Sequence, residues 1–420
     1  MRITILALGS RGDVQPYIPL GKGLQAAGHS VRIATFKAFS PLVLTAGLDF
    51  FPLQGDARAL LDTAMSAGLL DGRTNVFSYI QAIRKSYASL ADTLVEDLSS
   101  DVLHDSELIL NQLPAYIFGS DLAEYLDIPW AIVSVIPLVR TRGHPMFGFP
   151  RQLSRLPGYN ALTYRIGEQL VWSMFGKAIN RWRTNVLGLA KRPSFGDFNS
   201  AFRSKVPVLN GFSAHVVERP PDWGEHVHIT GWWHPEDLGW KPPDRLTSFL
   251  EEGDKPVFLG FGSIPVGDPE QITSILVEAV RRVGARAIIH AGWAGLGNEL
   301  PDEFLSIDYA PYDWLFEQMA AVVHHGGSGT SGLAFRSGVP SLVVPFGFDQ
   351  YYWGDRGAEL GVSPELLSFK ELNVDDLASR IHTAMTDKAM AEQAEQFGQK
   401  LRTEDGVARA VEIINKIAVG

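Results

Sequence analysis

The chain of 420 residues contains no cysteine. Disulfides, thiol nucleophiles and zinc–thiolate centres are therefore outside its chemistry. It is also short of positive charge: 37 Lys and Arg against 47 Asp and Glu leave a net charge of -10, which argues against nucleic acid as the main partner. No apolar run reaches the roughly 18 to 20 residues that a spanning helix needs. The opening stretch Met1–Gly9 reads as a strand rather than a signal peptide. The expected location is cytoplasmic, with a peripheral membrane contact left open. The turn Gly9–Asp13 after the first strand lacks the G-x-G-x-x-G spacing, which weakens a simple dinucleotide-binding reading. Solenoid repeats and low-complexity tracts are absent.

What is present is ordinary for a globular protein of two domains, with 45% apolar and 20% charged residues. Ile3–Leu8 reads as a strand, Ser10-Arg11-Gly12-Asp13 as a polar turn, Val14–Ala27 as a helix and Ser30–Thr35 as a second strand. A right-handed crossover makes these strands parallel neighbours and puts the Ser10–Asp13 turn at a carboxyl end, where open α/β sheets bind ligands. Helical patterns fill 57–103, and Leu108–Leu110 and Trp130–Val133 read as further buried parallel strands. Proline, tryptophan and glycine cluster in 219–243 and suit an interdomain linker. The alternation then restarts, with strands expected at Val257–Leu259, Arg286–His290, Leu305–Tyr309, Ala320–His324 and Ser341–Val344, and a helix over Pro269–Val283. The expected fold is α/β, two Rossmann-like doubly wound domains facing across a cleft. Their bounds are 1–218 and 244–420, and the last helix is a candidate to pack back on the first domain.

Two stretches stand out. In His324-His325-Gly326-Gly327-Ser328-Gly329-Thr330, an apolar strand runs into a glycine-rich turn and a helix start. Several backbone N–H groups and the positive end of a helix dipole then converge, which suits a diphosphate. The segment 151–192 carries eight Lys and Arg against the single acid Glu168. A basic amphipathic helix of this kind lies on an anionic membrane, lines an apolar cleft or, most often, packs on its domain with a solvated basic face.

Ser10–Pro16, His324–Thr330 and Pro345-Phe346-Gly347-Phe348-Asp349-Gln350-Tyr351-Tyr352-Trp353-Gly354, with the Trp223 and Gly231-Trp232 region, occur in one order along the chain. In this the sequence resembles the GT-B glycosyltransferases of the nucleotide-sugar-dependent family 1. The similarity is greatest to the sterol glucosyltransferases and the macrolide and glycopeptide antibiotic glycosyltransferases. The resemblance implies an N-terminal acceptor domain and a C-terminal domain for the nucleotide sugar. It implies donor contacts from His324 or His325 and from the amides of Gly327, Ser328, Gly329 and Thr330. Successive side chains of a strand point opposite ways, so one histidine is the direct ligand; the family's H-x-G pattern favours His324 and turns His325 toward the core. Ser263 would add a hydroxyl near the phosphates. Tyr309 or Tyr312 would stack on the nucleobase beside backbone bonds from Ala310, unless both are buried structural tyrosines. Asp349 and Gln350 would hold the sugar hydroxyls. For Asp349 the plainer role is a helix N-cap.

Glycosyl transfer needs stabilisation of the leaving diphosphate and removal of the acceptor's proton. No two aspartates are separated by a single residue, so no Asp-x-Asp metal motif exists. The glycine turn, its dipole and a histidine are expected to replace the metal, and no cofactor is expected beyond the nucleotide sugar. The resemblance makes Asp13 the proton acceptor, with Ser10, Arg11 and Gly12 beside the donor; the plainer role of Asp13 is to cap the helix that follows it. A partner for Asp13 would come from Leu110-Asn111-Gln112. The implied reaction is inverting transfer of a hexose, with UDP-glucose the favoured donor, to a hydroxyl of a lipophilic molecule such as a sterol. Gly332 stands where plant relatives carry a glutamate for the ribose hydroxyls, which keeps a dTDP-deoxysugar transferase (for example of rhamnose) acting on a macrolide or lipid as the alternative. A non-catalytic nucleotide- or lipid-binding relative is the alternative of another class. Phe77, Tyr79, Met146, Phe147, Phe149, Trp172 and Phe175 suggest a lipophilic pocket.

Overall fold

A computed structural model describes residues 1–55, 90–113, 115–194, 205–235, 239–262, 268–290, 292, 300–347 and 349–419. The chain divides into two compact units, Met1–Pro235 with Asp405–Gly420, and Glu236–Glu404.

The first unit holds a parallel sheet of seven strands: β1 Arg2–Leu6, β2 Ser30–Phe36, β3 Asp49–Leu53, β4 Leu108–Gln112, β5 Trp130–Ser134, β6 Val208–Asn210 and β7 Val227–Ile229. Their spatial order is β3-β2-β1-β4-β5-β6-β7. The central strands are near-continuous apolar runs because helices cover both faces: Ile3, Ile5, Leu108, Leu110, Ile132 and Val133 are fully buried. Each such side chain contributes about 1.5–3 kcal/mol of burial free energy. From β1 the chain proceeds to β2 and β3 on one side and then crosses to β4 on the other, so the switch point lies between β1 and β4. β7 falls within the 219–243 stretch read as a linker. There Arg219 donates to the carbonyls of Trp223 (3.0 Å), Gly224 (2.6 Å) and Val227, shaping the turn that leads into the edge strand.

The terminal helix Gly406–Val419 belongs to this first unit. It lies on the Tyr17–Ala26 helix, where a Cβ on Gly23 would collide with the side chain of Val407, and His29 Nε2 pairs with Asn415 Oδ1 at 2.7 Å.

The second unit has five parallel strands: β8 Val257–Gly260, β9 Ala287–His290, β10 Phe304–Ile307, β11 Ala321–His324 and β12 Ser341–Val343. Their order, β10-β9-β8-β11-β12, puts the switch between β8 and β11. Phe258, Ile288, Leu315, Phe316 and Val322 form much of the core on one face.

Candidate active site

The carboxyl end of β1 carries the first candidate group. Gly9 has φ +136, and a Cβ there would overlap the carboxylate of Asp13, so glycine is required for the chain to fold back onto that group. Ser10 then caps the short helix Arg11–Val14. Asp13 Oδ2 accepts from the Ser10 amide at 2.7 Å and its hydroxyl at 3.0 Å. The capping role is therefore real, but it engages only one of the two oxygens. Oδ1 accepts from Gln112 Nε2 at 3.0 Å, across the switch point. The Gln112 amide cannot turn over without loss, because its Oε1 accepts from the Leu8 N–H at 3.0 Å. Burial pushes the pKa of Asp13 above its ordinary value, opposed by the hydrogen bonds from Ser10 and Gln112. Tyr17 lies fully buried behind it, with its hydroxyl on the Val133 carbonyl at 3.2 Å and its ring against Trp233. Gly12 and Arg11 are exposed, and Arg11 Nε donates to Gln15. Asn111, the other polar residue of β4, points away into the α/β interior, where its side chain lies so close to Gly119 that no Cβ would fit.

In the second unit β11 ends at His324, and Gly326 takes φ +86 so that the chain turns into the helix Ser328–Ser337. A Cβ at Gly326 would stand 2.5 Å from Val343 Cγ1. Gly327 is the N-cap and no side chain caps this helix, while the position beside Gly329 is open space. The first turn thus presents backbone N–H groups at the positive end of a dipole.

In burial the two histidines are the reverse of the orientation expected from the sequence. His324 has no exposed surface, and its Nδ1 accepts from the Gly326 N–H at 3.1 Å. His325 is partly exposed and lies beside the turn after β8: a Cβ on Gly262 would be 2.9 Å from its Cε1, and one on Gly327 2.5 Å from its Nε2. The physical reason is position. All four residues of β11 are buried, His324 included, so His325 is the first side chain past the strand end and lies beside the turn after β8, at the switch between β8 and β11. Desolvation lowers both pKa values, to about 3 for His324, where His325 adds a smaller effect, and to about 4 for His325. Both rings are neutral near pH 7, and the positive character of this turn comes from backbone amides.

Asp349 occupies the N-cap position of the helix Gln350–Glu359 but makes no side-chain cap; its Oδ2 instead accepts from Trp353 Nε1 at 2.8 Å. Gln350 Oε1 accepts from the amides of Phe346 (2.7 Å) and Gly347 (3.3 Å), which leaves its Nε2 as the donor end. Of the two candidate tyrosines, Tyr312 is a structural one. It stacks on Phe316 at 4.5 Å and its hydroxyl pairs with His290 Nδ1 at 2.7 Å. Tyr309 is 47% exposed, and Ala310 is buried. Sequence reasoning missed His290. Its Nε2 bonds the Asp308 carbonyl at 2.8 Å and must carry the proton, so Nδ1 accepts from Tyr312 and the ring ties both ends of 308–312 together. Its place as the last residue of β9, at a carboxyl end, was the available signal. Ser263 lies outside the described residues, as do Phe77 and Tyr79. Met146, Phe147 and Phe149 are partly exposed, whereas Trp172 and Phe175 belong to the core, Phe175 edge-on to Phe118. No group of three or more metal-ligating side chains occurs among the described residues.

Comparison with known proteins agrees with this layout. Residues 3–142 match the sequence model of the glycosyltransferase family 28 N-terminal domain, and residues 274–416 that of the erythromycin biosynthesis protein CIII-like C-terminal domain. The sterol 3-beta-glucosyltransferase of Emericella nidulans is 38% identical over 99% of this chain. The chain spans only 30% of that protein's length. Among solved structures, the glycosyltransferase of kitacinnamycin superposes with a TM-score of 0.68 at 19% identity, covering 99% of each chain. The Streptomyces sp. SF2575 glycosyltransferase SsfS6, complexed with thymidine diphosphate, gives 0.64 at 20% identity, again over 99% of each. The chain belongs to the glycosyltransferases of GT-B fold, with a family 28 N-terminal domain and an erythromycin CIII-like C-terminal domain.

Proposed function

We propose that the chain transfers a hexose, with UDP-glucose as donor, to a hydroxyl of a lipophilic small molecule such as a sterol. The observation that carries the reading is the Asp13 carboxylate, fixed at the switch point of the first sheet by Ser10 and Gln112. The 38% identity to a protein named as a sterol 3-beta-glucosyltransferase supports glucose and a sterol-like acceptor.

The acceptor oxygen attacks the anomeric carbon, the bond from that carbon to the diphosphate breaks, and the acceptor's proton passes to Asp13. A carboxylate is a weak base for an alcohol in the ground state, but it accepts the proton late, when the attacking oxygen has become acidic. Oδ1 holds one hydrogen-bond donor and Oδ2 two, so Oδ1 is the more basic oxygen. The charge developing on the diphosphate is met by the amides from Gly327 to Thr330, the helix dipole and His325. No metal is assigned, because the chain has no Asp-x-Asp motif. Attack opposite the leaving group inverts the anomeric centre. Asp349 and Gln350 take sugar hydroxyls, and Tyr309 rather than Tyr312 stacks on the base.

A dTDP-deoxysugar donor is the second reading. Gly332 lies buried within the Ser328–Ser337 helix and offers no carboxylate for a ribose 2′-hydroxyl, so the ribose distinction between the nucleotides is weak at this point. A mass-spectrometric screen of UDP- and dTDP-sugars against sterols, macrolides and flavonoids tests the proposal, with NMR of the linkage and a chelator control. Glucosylated sterol from UDP-glucose is the expected product. Exclusive use of a dTDP-deoxysugar, or activity abolished by chelation and restored by a divalent cation, would overturn the respective part.

A further inference from the structure

The helix Tyr159–Asn185 is apolar on two sides. Its inner face, with Thr163, Tyr164, Gly167, Phe175, Ile179 and Trp182, is buried in the first unit. A helix packed this way ordinarily turns a polar outer face to water. Here Leu162, Ile166 and Leu170, spaced four residues apart and so on one outer stripe, are 40–52% exposed. Leu153 and Leu156, in and just after the 3-10 turn Arg151–Arg155 that precedes the helix, are 42% and 55% exposed. Five of the ten large apolar side chains most exposed in the described structure thus fall within eighteen residues of sequence, from 153 to 170.

Within residues 151–177 the exposed charged side chains all have one sign. Arg155, Arg165 and Lys177 are exposed along it. The one acid of the segment, Glu168, is turned away into an ion pair with Arg140 and is 14% exposed. The cations that do have internal work are elsewhere: Arg183 and Arg192 converge on the buried Asp121, and Arg181 pairs with Asp92. In a chain of net charge -10, this leaves a local cationic rim around an apolar strip. Among the described residues no helix is long and apolar enough to cross a membrane, so the arrangement suits lying on a surface rather than spanning.

We propose that this face, Leu153 to Leu170, docks the first unit onto an anionic lipid bilayer, with the leucines and isoleucine entering the interface and Arg155 and Arg165 meeting lipid phosphates. Docking does not depend on which sugar or acceptor is used, and it is tested without substrate. The purified chain is sedimented with vesicles of phosphatidylcholine alone and with vesicles containing about one-third phosphatidylglycerol. Binding is expected to the second set, and to weaken as salt rises. Arg155→Gln with Arg165→Gln should lower the partition coefficient by roughly twenty-five-fold, at about fivefold per basic side chain. Leu162→Gln with Ile166→Gln and Leu170→Gln should lower it by at least about tenfold. These side chains are exposed, and an unchanged Tm confirms that the variants fold. No binding by the parent chain, or undiminished binding by the triple variant, overturns the proposal. It is also overturned if the triple variant loses only turnover of a detergent-dissolved acceptor, which would make the face a wall of the acceptor groove. Loss of a dimer in sedimentation equilibrium, without vesicle binding, would instead assign the face to a second copy.

Discussion

Gln112 Nε2 donates to Asp13 Oδ1 at 3.0 Å while its own Oε1 accepts from the Leu8 amide at the same distance. A side-chain amide held at both ends in this way positions a carboxylate without adding a charge to it. Gln112→Ala should lower kcat by roughly ten- to a hundredfold through a misplaced Asp13, with KM for the donor little changed. Gln112→Glu keeps the acceptor for Leu8 but sets a second carboxylate beside Asp13. Steady-state kinetics of both variants, with the donor KM measured separately, check this.

The pH dependence follows from the same pair. Burial raises the pKa of Asp13 above 3.8, and a base works only when deprotonated. Activity should therefore fall as pH drops through the folded-state value, with the acid limb of kcat/KM above the ordinary aspartate range. In Gln112→Glu that limb should move up by about one unit or more, since a like charge disfavours ionisation. A limb that stays in place in the variant would mean that another group titrates.

His324 and His325 should separate by experiment. His325→Ala is expected to weaken nucleotide-sugar binding roughly tenfold, the loss of one hydrogen bond to a charged group. His324→Ala, in the core, should lower Tm and affect donor affinity less. With both rings neutral at pH values well above about 3 and 4, UDP-glucose affinity by calorimetry should change little between about pH 6 and 8.

Gly326 combines φ +86 with a Cβ position 2.5 Å from Val343 Cγ1. Gly326→Ala should cost about 1–3 kcal/mol of stability and widen the turn before the Ser328–Ser337 helix. Thermal denaturation and donor binding, measured together, should both show loss.

The alternation of strands and helices in each unit was legible in the sequence because parallel strands buried on both faces are written as apolar runs, as in Leu108–Leu110 and Ala321–Val323. The turns at Ser10–Asp13 and Gly326–Thr330 were legible because glycine and a short polar side chain at a carboxyl strand end have few other uses. Which of two adjacent histidines faces outward was not legible, since the register of β11 is set by its neighbours β8 and β12. Nor was the division of labour between Tyr309 and Tyr312, which depends on Phe316 and His290 arriving from other elements. Gln112 sat in view on β4, but the choice between it and Asn111 rests on the pairing of β4 with β1. β7 was hidden because three residues between proline-rich turns carry too little periodicity to mark a strand.

The central claim is that Asp13 receives the acceptor's proton. The direct measurement is turnover of Asp13→Asn, with UDP-glucose affinity and Tm determined on the same preparation. Asparagine keeps the size of the side chain and removes the base, so kcat should fall by about 100- to 10,000-fold with donor affinity within a few-fold of the parent. A folded Asp13→Asn variant whose kcat stays within a few-fold of the parent would contradict the account.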